Sequence, residues 1–281
     1  MRAQLPGRSR LVLVVVLTGL VGIAPAQAQP QQDAESKALD ATATQWSFQF
    51  AYQLMPNYHA DMLSSGMPRP PGSDNYLQVR VVAPLPLGGL TILPRLTVRH
   101  YENAQGESGL GNTELFALLV PKAFDWGIGR FGIGPLVTMP GSEKVARDEW
   151  GYGLAAVVVH APKPWFLGLL FTQSWRGIVP TALPPGDSDA NPLGIAPIIT
   201  YQLGKGFYAS NGDMVLLYDW NSKNLYAPIG LRLGKVIINR NSSTWNLYAE
   251  YQTSLIYKSY PGPAVKDLVR LNVSYAIPLK F

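Results

Sequence analysis

Apolar and polar residues alternate with a period of two through much of this chain, and this alternation limits the fold more than any other feature of the sequence. Residues 45–54 carry large apolar side chains at the even positions, namely Trp46, Phe48, Phe50, Tyr52 and Leu54. Residues 269–281 repeat the pattern at the other end of the chain. Successive side chains of a β-strand point to opposite faces, whereas a helix would scatter the same groups around its axis. The pattern therefore predicts strands that each present an apolar face.

Segments of this kind recur along the chain, and together they predict an all-β protein with about twelve strands. Most of the predicted strands have the ~9–11 residues that a tilted membrane-spanning strand needs. They are expected at residues 45–54, 75–83, 90–101, 113–121, 127–138, 151–160, 165–176, 193–203, 206–219, 225–236, 244–255 and 266–281.

The connections between these strands mostly alternate between long and short. Residues 55–74 are followed by the shorter 84–89, and residues 102–112 by the shorter 122–126. Transmembrane β-barrels have short turns at one end and long loops at the other, and a strand in hydrocarbon satisfies its whole backbone only in a closed sheet. The chain is therefore expected to be an antiparallel transmembrane β-barrel. A soluble sandwich or a lipocalin-like barrel is the alternative that alternation alone allows.

The N-terminus has the pattern of a secretory signal peptide. Three arginines precede an uncharged, largely apolar stretch at residues 11–24, and the small residues Ala26 and Ala28 follow. A spanning helix would need about 20 apolar residues, so cleavage after Ala28 is favoured over a retained anchor. We expect the mature protein in the outer membrane of a Gram-negative bacterium. The expected organisation is a signal peptide at 1–28, a flexible or loosely helical lead-in at 29–44 and the barrel at 45–281.

Composition excludes several classes of function. The chain has no cysteine, which excludes disulfide scaffolds, thiolate zinc sites and cysteine nucleophiles. Its formal charge of +5 falls to +2 without the three signal-peptide arginines, because 20 basic and 18 acidic residues then remain. Nucleic-acid binding needs a basic face, so no nucleic-acid partner is expected. No cofactor or metal site is predicted.

The last strand and several short motifs resemble those of bacterial outer-membrane proteins. An alternating terminal strand that ends in Phe281 resembles the signal by which the barrel-assembly machinery engages such proteins. The other motifs are Gly109-Leu110-Gly111-Asn112, Tyr201-Gln202-Leu203, Asp219-Trp220, Pro228-Ile229-Gly230 and Gly234-Lys235. In these motifs the chain is similar to a broad family labelled transporters or phenol meta-cleavage-pathway outer-membrane proteins, which commonly carry Asp where this chain has Asn112. The resemblance implies a barrel of roughly twelve strands and a transport function.

Inward-facing positions of such a barrel set its selectivity, whereas lipid-facing positions set its stability. We expect five apolar residues to face lipid, namely Leu77, Leu96, Val98, Leu231 and Leu271. The charged residues that alternate with this set then line the pore, and these are Arg80, Arg95, Arg99, Glu114, Arg232, Glu250 and Arg270. Five arginines against at most two glutamates favour anionic groups such as carboxylates. The alternative is that these charges pair with one another and fill a narrow barrel.

A channel or passive transporter for small solutes is the leading functional expectation, with hydrophobic, aromatic or weakly anionic compounds as cargo. Enzyme activity is not expected, because a general base must lie within reach of a nucleophile and the chain has only His59, His100 and His160 as histidines. The alternatives are a lipid-modifying hydrolase or acyltransferase, and a structural or adhesive barrel that binds a partner through residues 55–74 and 177–192. Besides a small-molecule solute, the expected partners are outer-membrane lipid, lipopolysaccharide and the barrel-assembly machinery.

Overall fold

The structure, a computed structural model, describes residues 32–40, 42–59, 68–146, 148–176, 191–258 and 264–279. In these residues the alternating segments form β-strands and the lead-in forms a short helix, α1 (Ala34–Leu39). The strands are β1 (Gln45–Tyr58), β2 (Asp74–Val82), β3 (Leu85–Leu87), β4 (Leu90–Glu102), β5 (Ser108–Leu110), β6 (Thr113–Pro121), β7 (Gly129–Met139), β8 (Gly151–His160), β9 (Trp165–Arg176), β10 (Pro192–Gly204), β11 (Phe207–Ser210), β12 (Leu216–Asp219), β13 (Leu225–Ile238), β14 (Thr244–Lys258) and β15 (Val265–Pro278).

These strands form one closed antiparallel sheet. β1 pairs with both β2 and β15, and β9 pairs with β10, so the ladder returns to its start. β11 and β12 share one position between β10 and β13, while β3 and β5 are short additions that pair with β4. The wall therefore has twelve strand positions, and closure leaves no unpaired edge for hydrocarbon to meet. The predicted transmembrane β-barrel is confirmed.

The two faces of the wall differ as the alternation predicts. On the outside, Phe50 is 56% exposed and Leu271 is 55% exposed. Their neighbours in sequence, Ala51 and Asn272, point inward and are buried. Exposed apolar side chains on nearly every strand would be unfavourable in water, but they suit contact with lipid. The outer surface is therefore the lipid-facing surface of the barrel.

The interior has one apolar side and one polar side. The apolar wall is the inward face of β4, β6, β7, β8 and β9, together with the turn residue Ala161. Its residues are Leu93, Phe116, Leu118, Val120, Leu136, Ala155, Val157, Val159, Ala161 and Phe166. The opposite side, on β13, β14, β15, β1 and β2, carries mostly amide, hydroxyl and charged side chains. This division explains why β8 is apolar on both faces: one face meets lipid and the other forms part of the apolar wall.

The predicted strand at 206–219 is interrupted, and this is the main difference between the expected and observed strands. β11 ends at Ser210 and β12 begins at Leu216, and residues 212–215 between them line the interior cavity. The Asn211 side chain replaces some of the backbone hydrogen bonds that the interruption removes. Its Oδ1 accepts from Ile199 N at 2.9 Å and its Nδ2 donates to Pro197 O at 2.7 Å. The wall therefore keeps hydrogen bonds to β10 beside a segment that leaves it.

The lead-in, expected to be flexible or loosely helical, contains the short helix α1 within its described residues. Asp33 caps the helix by accepting from Ser36 N at 2.7 Å, and Leu39 packs against the apolar wall. No helix within the described ranges is long and apolar enough to cross a bilayer. The expected signal peptide and the terminal Phe281 lie outside the described residues.

We expect Leu271→Arg to lower the free energy of unfolding from a bilayer by about 2–4 kcal/mol, because Leu271 lies on the lipid-facing side in the middle of β15. The matched control is Ile237→Arg near the end of β13, also on the lipid-facing side, where the cost should be only about 0–1 kcal/mol. Reversible folding into liposomes across a denaturant series measures both values. Equal costs at the two positions would contradict a lipid-facing outer surface.

Candidate functional site

All seven pore-lining candidates lie on the inward face of the barrel. Arg99, Glu114, Glu250 and Arg270 are buried, and Arg80, Arg95 and Arg232 line a central cavity together with Arg99 and Arg270. The facing assignment made from the sequence therefore matches the positions of these side chains. The structure further divides them into arginines that pair with carboxylates and arginines that do not.

Arg232, Glu250 and Arg270 lie side by side on three neighbouring strands. Glu250 is opposite Arg232 across the β13–β14 ladder and opposite Arg270 across the β14–β15 ladder. Arg232 Nη2 lies 2.6 Å from Glu250 Oε2. The opposite charges along this row offset part of the desolvation free energy that burial of each charged group costs.

Asp213, in the segment between β11 and β12, completes this cluster. Its carboxylate lies 2.5 Å from Arg232 Nη2 and 3.3 Å from Arg270 Nη1. Gly212 permits the inward turn, because its φ is +78° and a Cβ there would lie 2.7 Å from the Glu250 carboxyl carbon. The interruption of the strand thus brings a second carboxylate to two arginines that flank a single glutamate on the wall.

Arg99 is paired on the other side of the lumen. It forms an ion pair with Glu114 and donates from Nε to Gln78 Oε1 at 3.1 Å. Arg99, Arg232 and Arg270 therefore each have a carboxylate partner. Arg99 and Arg232 thus pair within the predicted set of charges, whereas the partner of Arg270 is Asp213, which lies outside that set.

Arg80 and Arg95 have no carboxylate within ion-pair distance among the described residues. Arg80 donates to the neutral oxygens of Thr97 and Gln49, both at 3.3 Å. The Arg95 guanidinium stacks 3.8 Å from the centre of the Phe116 ring. With Arg130 and Asp40, which pair at the end of the cavity near α1, six arginines and four carboxylates face the lumen, which leaves a net charge of +2.

A central cavity of about 240 Å³ lies inside the barrel. Arginines line one part of it and the apolar wall lines another. It extends from Leu39 and Ala43 near the start of β1 to Tyr76 and Val265 near the opposite end. The interior is therefore not packed solid, and its open space is bordered by both charged and apolar groups.

Helix α1 and the residues after it occupy the end of the barrel that carries the short turns. The Arg130 guanidinium on β7 donates to Gln32 Oε1 at 3.1 Å and to Thr42 O at 3.2 Å, and it lies 3.7 Å from Asp40. On the other side, Gln202 on β10 donates to Ser36 Oγ at 2.8 Å. The lead-in is therefore fastened to the wall by buried hydrogen bonds inside the barrel mouth.

An exposed ion pair adds to this attachment. Lys163, in the turn between β8 and β9, lies 2.7 Å from Asp33 and 3.9 Å from Glu35. Partial burial alone would raise the pKa of Asp33, but hydrogen bonds with Lys163 and Ser36 hold it below its ordinary value. The hydrogen bond to Asp33 in turn raises the pKa of Lys163. Both groups are thus charged at neutral pH, although an exposed pair of this kind stabilises little.

His59 contacts a serine, but the geometry does not suit a catalytic pair. Its Nε2 lies 2.7 Å from Ser254 Oγ and 3.1 Å from Ser254 O, and Ser254 Oγ donates to Val265 O at 2.8 Å. Because the serine proton is engaged by a carbonyl, Nε2 acts as the donor and is not placed to accept that proton. His100 is exposed on the lipid-facing side, and His160 accepts from Trp126 Nε1 at 3.1 Å. In the part of the chain that the structure describes, no cluster suited to a metal ion is present.

Sequence analysis missed Asp213, Arg130 and Asp40. The predicted strand at 206–219 includes Asp213, although the run Asn211-Gly212-Asp213 consists of turn-forming residues and an isolated Gly in a strand indicates a bulge. Arg130 alternates correctly for an inward position, but its partners lie about 90 residues away in the lead-in. No periodicity connects the two segments, so no sequence signal could have paired them.

Neither family models nor curated proteins match this chain. Among solved structures, an outer-membrane channel from Pseudomonas putida F1 aligns over 83% of this chain and 94% of its own, with a TM-score of 0.54 and 17% identity. At that identity the likeness concerns the fold alone. The outer-membrane channel DcaP of Acinetobacter baumannii aligns with a TM-score of 0.40 and 9% identity over 83% of this chain and 96% of its own. Outer-membrane phospholipase A of Escherichia coli aligns with a TM-score of 0.44 and 14% identity over 87% and 97%.

We expect Arg130→Gln to release the lead-in from the barrel mouth, because the change removes the charge facing Asp40 and shortens the donor that reaches Gln32 and Thr42. Amide exchange in residues 32–40 should become about tenfold faster, which corresponds to losing ~1.4 kcal/mol of local protection. Hydrogen-exchange mass spectrometry measures this rate. Arg240→Gln, in the exposed turn after β13, is the matched control, and equal exchange in both variants would show that Arg130 does not hold the helix.

Proposed function

We propose that this protein is a passive outer-membrane channel for small solutes. The observation that carries the proposal is the central cavity, which lies inside a closed barrel with an apolar outer surface and is lined by charged side chains. A barrel that served only as a structural element would gain stability by filling this space, since empty volume in a protein interior is destabilising. The fold shared with the channel from Pseudomonas putida F1 agrees with this function without establishing it.

The charge of the lumen supports a preference for anions. Three of the five arginines are balanced by Glu114, Glu250 and Asp213, and the positive charge of Arg80 and Arg95 is left over. Rings of Arg and Lys favour anions in pores, and the effect is stronger where low-dielectric walls surround them. Hydrophobic or aromatic cargo, as the resemblance to the phenol meta-cleavage-pathway proteins implies, is compatible with the apolar wall on the opposite side.

The same proposal implies the partners of the barrel and its route to the outer membrane. Lipid and lipopolysaccharide contact the outer apolar surface, and the barrel-assembly machinery engages the terminal strand and Phe281. A signal peptide at residues 1–28 delivers the chain across the inner membrane. These partners are those that a chain with this fold requires to reach and occupy an outer membrane.

A lipid-modifying hydrolase is the second candidate, because His59 lies within hydrogen-bond distance of Ser254. The buried serine hydroxyl and its bond to Val265 O argue against this activity. If the barrel is an enzyme of this kind, His59→Ala abolishes turnover of phospholipid or lipid A. Unchanged lipid profiles with purified protein in mixed micelles would dispose of it.

We expect Asp213→Asn to raise the ratio of chloride to potassium permeability by about two- to fivefold. The change removes a carboxylate from Arg232 and Arg270, and one charge at about 4 Å is worth ~1 kcal/mol even in water. The reversal potential in a planar lipid bilayer under a potassium chloride gradient measures this ratio.

Asp148→Asn, at an exposed position between β7 and β8, is the matched control and should leave the ratio unchanged. Absence of any conductance in the unaltered protein would count against the channel itself. Equal ratios in both variants would show that Asp213 does not contribute to selectivity.

A further inference from the structure

The two arginines without carboxylate partners lie where the polar and apolar sides of the lumen meet. Arg95 on β4 stacks on Phe116, which belongs to the apolar wall. Arg80 lies on the adjacent strand β2 and donates to Thr97 on β4. Both guanidinium groups therefore border the central cavity beside the apolar wall.

An anion could reach these two arginines without displacing a carboxylate. The Arg95 Nε atom is buried and has no hydrogen-bond partner among the described residues. Arg80 makes only two long bonds, both to neutral oxygens at 3.3 Å. Charge-assisted hydrogen bonds from arginine to a carboxylate are shorter and roughly twice as strong as neutral ones, so an incoming carboxylate would improve on these contacts.

The opposite part of the same cavity is apolar. Leu118, Val157 and Phe166 line it, and Ile198 and Leu39 pack against the same surface. An inorganic anion would leave this surface against water, and an uncharged apolar solute would leave the two guanidinium groups without a partner. Each of those ligands would interact favourably with only one of the two parts of the cavity, either the guanidinium groups or the apolar surface.

We propose that the central cavity binds a small amphipathic organic monoanion, namely a carboxylate carried on an aromatic or short aliphatic group. The carboxylate lies at Arg80 and Arg95, and the apolar group lies against Phe116, Leu118, Val157 and Phe166. The cavity of about 240 Å³ is close to the lower limit of ~300 Å³ for small-molecule pockets, which restricts the ligand to a compact molecule. This inference rests on the proposed channel function and names the class of solute that the channel carries.

The test compares three probes that separate charge from apolar surface. Benzoate has both features, acetate has the charge alone, and benzamide has the ring without the charge. Isothermal titration of the full-length mature protein in detergent should give benzoate an affinity about tenfold or more above both of the others, since a hydrogen bond to a charged group and a buried ring each contribute that much.

Three variants assign the binding to the cavity. Arg95→Gln and Arg80→Gln should each lower benzoate affinity about tenfold and leave benzamide unchanged. Val157→Thr keeps the side-chain shape but replaces one methyl group with a hydroxyl, so it should lower benzoate affinity about threefold and leave acetate unchanged. Arg240→Gln, in the exposed turn after β13, is the arginine control and should match the unaltered protein. Circular dichroism of each variant shows whether its barrel has folded.

Equal affinities for benzoate and benzamide, or unchanged benzoate binding in folded Arg95→Gln and Arg80→Gln, would overturn the proposal. Conductance measured on the same preparations separates it from the channel function. Conductance without any preference for benzoate would leave a channel with no such site. Benzoate binding without conductance would leave the binding site in place and remove the transport role.

Discussion

Closure of the hydrogen-bond ladder is the constraint on which the rest of this structure depends. A sheet with an apolar outer surface has no water to satisfy its edges, so the first and last strands must pair, as β1 and β15 do. The same requirement governs the one position where the wall is interrupted. Asn211 bonds through its amide to Pro197 and Ile199, and in this way the chain leaves the wall without leaving β10 unpaired. The segment thus freed carries Asp213 into the lumen.

A narrow closed barrel forces the inward charges close together, and the balance among them sets what the lumen can attract. Breaking a buried ion pair costs about 3–5 kcal/mol, whereas an exposed pair contributes about 0–1 kcal/mol. Arg99, Arg232 and Arg270 are therefore committed to carboxylates and act mainly in maintaining the barrel. Arg80 and Arg95 have only neutral partners, which leaves their charge available to a solute. In the proposed channel, Arg80 and Arg95 would therefore be the arginines most available to attract a solute.

The alternation of apolar and polar residues was enough to predict most strands of the wall, because in a membrane strand every second side chain faces lipid. The strands at 113–121, 151–160 and 165–176 have the predicted bounds, and the seven charged candidates face inward as expected. Which charges pair was not predictable, since Arg270 and Asp213 are 57 residues apart and meet only through the interruption after Ser210. The seating of α1 also depends on distant contacts with Arg130 and Gln202. Alternation determines the direction of a side chain but not its partner across the lumen.

Spin labels at single cysteines along β15 test the lipid-facing sheet most directly, and the absence of native cysteine leaves each label alone on the chain. In liposomes, labels at 269, 271 and 273 should be accessible to oxygen dissolved in the lipid, while labels at 270, 272 and 274 should be protected from it. The predicted result is an oscillation with a period of two along the strand. Accessibility that does not alternate, or outward positions that respond to a water-soluble relaxant instead, would contradict a barrel whose every second side chain meets lipid.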